Sequence, residues 1–272
     1  AWGDFTNDGD LDMAFTGHGP GGAWRTALLD NTGGGSFPIL PAGLQSLFTS
    51  SLAWGDFDND RDLDLVVAGE TVPGAATGIV YRNTPSGFAN IGASLANVTE
   101  SSVGWGDYDV DGDLDLAMSG YAYTLPHETA AIYRNDAGTL TPIISGMTGV
   151  YAGSLAWGDY DNDGLLDIVS TGSSAPQTAA CQLMRNLGNG SFASQGAVTA
   201  PVFASSIQWG DYDNDGDLDL LVNGADGTNS FPRIYRNDSP AFANQRPSAP
   251  SGLAAIASSN TQTTFSWNAA TD

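Results

Sequence analysis

The 272-residue chain contains no lysine, one cysteine, three glutamates and two histidines. A lone Cys181 excludes an intrachain disulfide and a cysteine-based zinc site. It stands where other repeats have Gly78, Ala130 and Pro232, so it is expected to be a small residue near the start of a strand. The eight basic residues are all arginine, and against 31 acidic ones they leave a formal charge of −23. Such a field repels phosphate backbones and anionic membranes, which argues against nucleic-acid partners. No apolar run approaches the length of about twenty residues that a membrane helix needs, so no membrane insertion is expected. There is no Gly-x-Ser-x-Gly elbow, phosphate loop or Cys–His signature, and His18 and His127 sit in expected loops with no partner motif. The chain is therefore not expected to be an enzyme.

What is abundant is glycine and aspartate. Trp-Gly-Asp-aromatic, an aspartate burst and an apolar run recur from Trp2, Trp54, Trp105, Trp157 and Trp209, in steps of 52, 51, 52 and 52 residues. A period of that length marks an array of like structural units. The second copy shows the unit. Residues 51–57 form a short extended stretch, 58–62 a polar turn, and 63–69 a strand apolar on both faces and hence buried between layers. Residues 79–83 and 88–91 supply two more strands around the turn Thr84-Pro85-Ser86-Gly87. Four short strands per repeat without helical periodicity predict an all-β fold, a β-propeller of four-stranded blades. A solenoid usually has shorter repeats and lacks three hairpin turns in each. The blades are expected over about 1–47, 48–98, 99–150, 151–202 and 203–243.

The bursts hold 23 of the 28 aspartates, a concentration that points to oxygen ligands at fixed spots rather than a solvating surface. Counting from Asp56, carboxylates recur at loop positions one, three, five and nine, and position seven can offer its backbone carbonyl. The candidate ligand sets are Asp4, Thr6, Asp8, Asp10 and Asp12; Asp56, Asp58, Asp60, Asp62 and Asp64; Asp107, Asp109, Asp111, Asp113 and Asp115; Asp159, Asp161, Asp163, Leu165 and Asp167; and Asp211, Asp213, Asp215, Asp217 and Asp219. An all-oxygen set of this size suits Ca²⁺, which takes six to eight oxygens at about 2.3–2.6 Å, better than Mg²⁺ or a soft metal. Up to five Ca²⁺ are expected, one per repeat. It is not an EF-hand, because position twelve is Val67, Met118, Ser170 or Val222 instead of glutamate, and strands flank the loop. Two sites are expected to be weaker. Thr6 replaces a carboxylate in the first copy, and Arg61 replaces the glycine found as Gly9, Gly112, Gly164 and Gly216. The arginines of the third strand (Arg82, Arg134, Arg185 and Arg236) are placed to offset the aspartates.

Gly-Asp-x-Asp-x-Asp-Gly-Asp-Leu-Asp-Leu, closed by small residues such as Val67-Ala68-Gly69, resembles the FG-GAP (VCBS-like) repeats over about residues 1–243. Those repeats build the Ca²⁺-binding propeller of integrin α-subunits and of many secreted bacterial proteins. The resemblance implies that the loop joins a blade's first two strands and that the ion is structural. It also implies seven blades, so five repeats and an opening inside the motif suggest further blades upstream; a closed five-bladed ring is the alternative. Residues 244–250 suggest a linker, and 251–272 resemble the first two strands of a fibronectin type III domain.

The loops between strands two and three diverge and carry Trp24, Tyr121, Tyr123, His127 and Phe231 on the face opposite the cation loops. Aromatics on exposed loops suit protein or sugar contacts. The expected function is an extracellular or cell-surface, Ca²⁺-stabilised adhesion or recognition module with a protein or glycan ligand on that face. The alternative is a lectin, its repeated tryptophans stacking on sugars, or a non-catalytic propeller of a secreted polysaccharide-degrading enzyme.

Overall fold

The computed structural model describes residues 1–19, 23–174, 178–238, 251–258 and 263–268. Among them there is no helix, and the strands fall into antiparallel sheets that follow the sequence order. The first sheet is β1 (Trp2–Gly3), β2 (Asp12–His18), β3 (Trp24–Leu29) and β4 (Ile39–Leu40). The second is β5 (Phe48–Gly55), β6 (Asp64–Val72), β7 (Ala75–Arg82) and β8 (Ala89–Asn90). The third is β9 (Thr99–Gly106), β10 (Asp115–Tyr121), β11 (Glu128–Asp136) and β12 (Thr139–Ile143). The fourth is β13 (Tyr151–Gly158), β14 (Asp167–Ser174), β15 (Thr178–Asn186) and β16 (Phe192–Gly196). The fifth shows three strands: β17 (Phe203–Gly210), β18 (Asp219–Ala225) and β19 (Ser230–Tyr235). This is the all-β, propeller-like blade array that the repeat predicts. β20 (Ser251–Ser258) pairs with β21 (Thr263–Asn268) as a separate hairpin, and the expected linker at 244–250 lies outside the described residues.

The second strand of each blade is apolar on both faces because it is covered on both. Leu65, Val66, Val67 and Ala68 are all fully buried, as are Leu116, Ala117 and Met118. Their side chains alternate between two cores, Leu65 and Val67 facing the preceding blade, Val66 and Ala68 the following one. The first strands β5, β9, β13 and β17 contact one another in sequence, so they form the inner rank of the array. Near its start each inner strand breaks register, with Thr49, Glu100, Ala152 and Ala204 at φ of 43–47°.

The repeated Trp-Gly pair is the contact between blades. A Cβ on Gly55 would lie 2.6 Å from Cδ1 of Trp105; on Gly106, 2.8 Å from Trp157; on Gly158, 2.5 Å from Trp209. Only glycine leaves room for the next blade's indole. The aromatic after Gly-Asp stacks on the same ring: Phe5 on Trp54 at 5.3 Å, Phe57 on Trp105 at 5.9 Å and Tyr108 on Trp157 at 6.3 Å between centroids. Among the described residues the end faces lack this cover, with Trp2 58% exposed and nothing within 4 Å of a Cβ on Gly210. The five described blades therefore do not close on themselves.

The divergent segments between second and third strands are shorter than the sequence suggests. β6 and β7 are joined by Pro73-Gly74 alone, and His18 is the last residue of β2 rather than part of a loop. The hairpins keep pairing past the variable residues because backbone hydrogen bonds do not depend on side-chain identity.

Candidate metal centres

Each loop between a blade's first and second strands is built by its own carboxylates. In four loops the position-one aspartate caps the turn by accepting from the two amides at positions five and six, and in the second Asp56 accepts from position six, Arg61, at 2.9 Å. Asp107 accepts from Asp111 and Gly112, both at 3.1 Å, and Asp159 from Asp163 at 3.0 Å and Gly164 at 2.9 Å. Position five caps the next turn, as where Asp60 accepts from the amide of Asp62 at 2.9 Å. Position four is left-handed in all five loops: Asn7, Asn59, Val110, Asn162 and Asn214 have φ of 58–60°. Position six is left-handed as well, glycine in four loops and Arg61 at φ 77° in the second.

Position nine is a knot. Asp115 is fully buried, with Oδ1 accepting from the amide of Asn135 at 2.8 Å and Oδ2 from that of Tyr108 at 2.9 Å. It thereby ties the ends of the first and third strands to the start of the second. Asp12, Asp64, Asp167 and Asp219 make the same two kinds of bond. Loss of solvent pushes Asp64, Asp115 and Asp167 up to about 7, although the backbone donors pull the other way. Burial also raises Asp58, Asp109 and Asp161 at position three.

The structure brings positions one, three and nine together in four blades. Ligand oxygens lie within 4.8 Å of one another in Asp56, Asp58 and Asp64; in Asp107, Asp109 and Asp115; in Asp159, Asp161 and Asp167; and in Asp211, Asp213 and Asp219. Oxygens around one Ca²⁺ at about 2.5 Å are at most ~5 Å apart, so the span fits a shared ion. Buried Oδ1 atoms of Asp56, Asp58, Asp109 and Asp161 have no hydrogen-bond partner among the described residues, and unpaired buried oxygens call for a cation. These carboxylate groups can hold metal ions. Asp60, Asp111, Asp163 and Asp215 stand beside the groups with one oxygen spent on the turn. In the first blade Thr6 donates its hydroxyl to Asp12 Oδ2 at 3.2 Å, and the amides of Phe5 and Thr6 share that oxygen. At position seven, Asp10, Asp62, Asp113, Leu165 and Asp217 use their amides to close the turn.

Three of the four expected arginines reach the loops. Arg82 pairs with Asp58 at 2.6 Å, Arg185 with Asp161 at 2.5 Å and Asp163 at 2.9 Å, and Arg236 with Asp213 at 3.0 Å and Asp215 at 2.9 Å. Arg134 differs: it pairs with Asp136, two residues on, in a bidentate contact at 2.5 Å, whereas Arg236 reaches Asp238, also two residues on, at 3.0 Å and still holds the loop. The neighbouring asparagine has a role the repeat pattern alone does not disclose. Nδ2 of Asn83, Asn135, Asn186 and Asn237 donates to the carbonyl of Phe5, Phe57, Tyr108 and Tyr160 in the preceding blade, at 2.6–2.9 Å. Its signal was its recurrence at the end of the third strand.

No curated protein matches the chain. Among solved structures, a Tc holotoxin pore from Photorhabdus luminescens is similar at a TM-score of 0.42 and 17% identity, over 88% of this chain and 11% of that one. This chain thus spans about a ninth of the length of that structure's chain. A family model described as the FG-GAP-like repeat matches residues 4–67, 121–170 and 172–222, more than half of the sequence. With the aspartate loop in all five blades and four strands in four of them, the chain belongs to the FG-GAP-like repeat family.

Proposed function

We propose that this chain is a Ca²⁺-stabilised recognition module of the cell exterior, with the ions on one face and a protein or glycan ligand on the other. The observation that carries the reading is a segregation of chemistry between the two faces. Aspartate dominates the loop face, whereas all three glutamates lie at strand ends on the opposite face: Glu70 near the end of β6, Glu100 in β9 next to its start, and Glu128 at the start of β11. Around them Tyr121 stacks on His127 at 5.2 Å and meets Tyr123 and Tyr151 edge-on, both at 5.5 Å. Tyr123 donates to Glu70 at 2.7 Å and is itself 43% exposed, beside Leu125 at 82%. Trp24 stacks on Phe48 at 4.0 Å on the same side of the array. An opening of about 330 Å³, lined by Thr49, Glu100, Ala152 and Ala204, lies where the inner strands begin. A rigid aromatic and acidic surface of this kind suits a partner with complementary polar and cationic groups.

Ca²⁺ is the ion of this reading because the ligands are all oxygen and their spacing fits its radius. The resemblance to integrin α-subunit propellers and to a fibronectin type III segment after residue 250 supports an exterior setting. Sugar stacking on the repeated tryptophans is disfavoured, because Trp54, Trp105, Trp157 and Trp209 are committed to the neighbouring blade's glycine. The test is binding of the labelled chain to a glycan array and to a panel of extracellular-matrix proteins. Tyr123→Ala and Leu125→Asp should abolish whichever signal is found, and Arg61→Gly on the loop face should leave it intact. Equal loss in all three variants, or no signal on either panel, overturns the assignment.

A further inference from the structure

We infer that the cation loops are thermodynamically linked in two blocks, blades one to three and blades four to five, by an asparagine–aspartate bond between successive loops. The inference rests on the loops holding a divalent ion. Nδ2 of Asn7 donates to Oδ1 of Asp62, Asn59 to Asp113 and Asn162 to Asp217, each at 2.7 Å. Each bond runs from position four of one loop to position seven of the next. The junction between blades three and four is different on both sides at once: position four is Val110 and position seven is Leu165. Neither side chain can make the bond, and the two partners of the pair change together.

The bond sits where it can carry information about occupancy. Position four lies between candidate ligands three and five, as Asn59 does between Asp58 and Asp60, and its left-handed backbone sets the direction of both. Position seven is the residue whose carbonyl is expected to face the ion. Ordering one loop around an ion therefore orders the anchor of its neighbour, and linkage makes the effect reciprocal. Blade packing is not what differs at the break. The third-strand latch from Asn186 to the Tyr108 carbonyl, 2.7 Å, spans that junction as it does the others. Val110 keeps the left-handed backbone, φ 60°, with a 62% exposed β-branched side chain, a costly conformation that no hydrogen bond to the next loop compensates.

The experiment is hydrogen–deuterium exchange of the whole chain across a Ca²⁺ titration, giving one midpoint per loop, with ions counted by native mass spectrometry. Asp109→Ala disables the third loop. The midpoint of the second loop should then rise about two- to tenfold, the range expected for one net hydrogen bond, while the fourth loop stays in place. Asn59→Val should abolish that rise. The double change Val110→Asn and Leu165→Asp should carry the effect of Asp109→Ala into the fourth loop. The double change recreates the asparagine–aspartate pair present at the other junctions, and Asn59→Val places at position four the residue that the third loop already carries there. Independent midpoints in every loop, or a fourth loop that moves with the second in the unmodified junction, would overturn the linkage while leaving the ion sites standing. A chain that retains no Ca²⁺ overturns both.

Discussion

A buried aspartate with two backbone donors is a structural residue before it is a ligand. Asp115 leaves the amides of Tyr108 and Asn135 unpaired if its side chain is removed, whereas Asp111 sits on the exposed side of the loop. Each orphaned buried donor costs about 1–3 kcal/mol. Asp115→Ala should therefore lower stability by about 2–5 kcal/mol in chelator, and Asp111→Ala by less than about 1 kcal/mol. Urea denaturation of both in EDTA would reveal it, and equal losses would contradict the assignment of position nine as a knot. The same burial sets a pH dependence. Carboxyls lifted from near 4 to about 7 bind protons in the folded state that the unfolded chain has released. Without divalent ions, the contribution of these three carboxyls to stability should thus be full below about pH 4 and be lost as pH rises through about 7. An ion requires the deprotonated form, so saturating Ca²⁺ should flatten or reverse the slope. Melting curves from pH 4 to 8 with and without EDTA decide it. At Arg61, φ 77° costs a side chain about 1–2 kcal/mol, so Arg61→Gly should stabilise the chain by about 1 kcal/mol.

Between blades the decisive contact is an indole against a glycine. Gly106→Ala places a methyl 2.8 Å from Trp157, which must shift against Tyr108 and Phe192 packed on it. Overpacking of this kind costs about 1–3 kcal/mol. Gly210→Ala meets nothing within 4 Å and should be close to neutral, so the pair separates packing from backbone effects in one thermal-melt comparison. These contacts also explain what the sequence made legible. The blade count, the strand order within a blade and the loop between strands one and two all follow from the 52-residue period, because each is local to one repeat. The partners across a blade boundary do not. That Asn135 recurs after Tyr133-Arg134 is visible in the sequence, but its bond to the Phe57 carbonyl spans 78 residues. Arg134 pairs with Asp136 alone whereas Arg236, with Asp238 in the same place, also holds its loop, so the residue after the asparagine does not decide the partner and the arginines could not be assigned as a set.

At the scale of the whole molecule, whose charge is −23, twelve of the 31 acidic residues stand in four groups whose oxygens lie within 4.8 Å. Two charges at that distance repel by about 2–3 kcal/mol at an effective dielectric of 20–40. Two remedies are available, and they act at different ranges. Added salt screens the exposed field beyond a Debye length of about 3 Å at 1 M, but it reaches poorly into oxygens that are buried. A divalent ion enters the group itself, and one in each of the four groups would contribute eight positive charges, reducing −23 to about −15. A site at a hundredfold its dissociation constant adds about 2.7 kcal/mol. Stripping the chain with EDTA should therefore lower its melting temperature sharply, 1 M NaCl should recover only a fraction of the loss, and millimolar Ca²⁺ should recover all of it. Mg²⁺ should recover less, since it demands octahedral geometry and holds its waters. Differential scanning calorimetry in the four buffers is the measurement. Complete recovery by NaCl would mean that the aspartates act only as a diffuse field, and the converging geometry of positions one, three and nine would then need another cause.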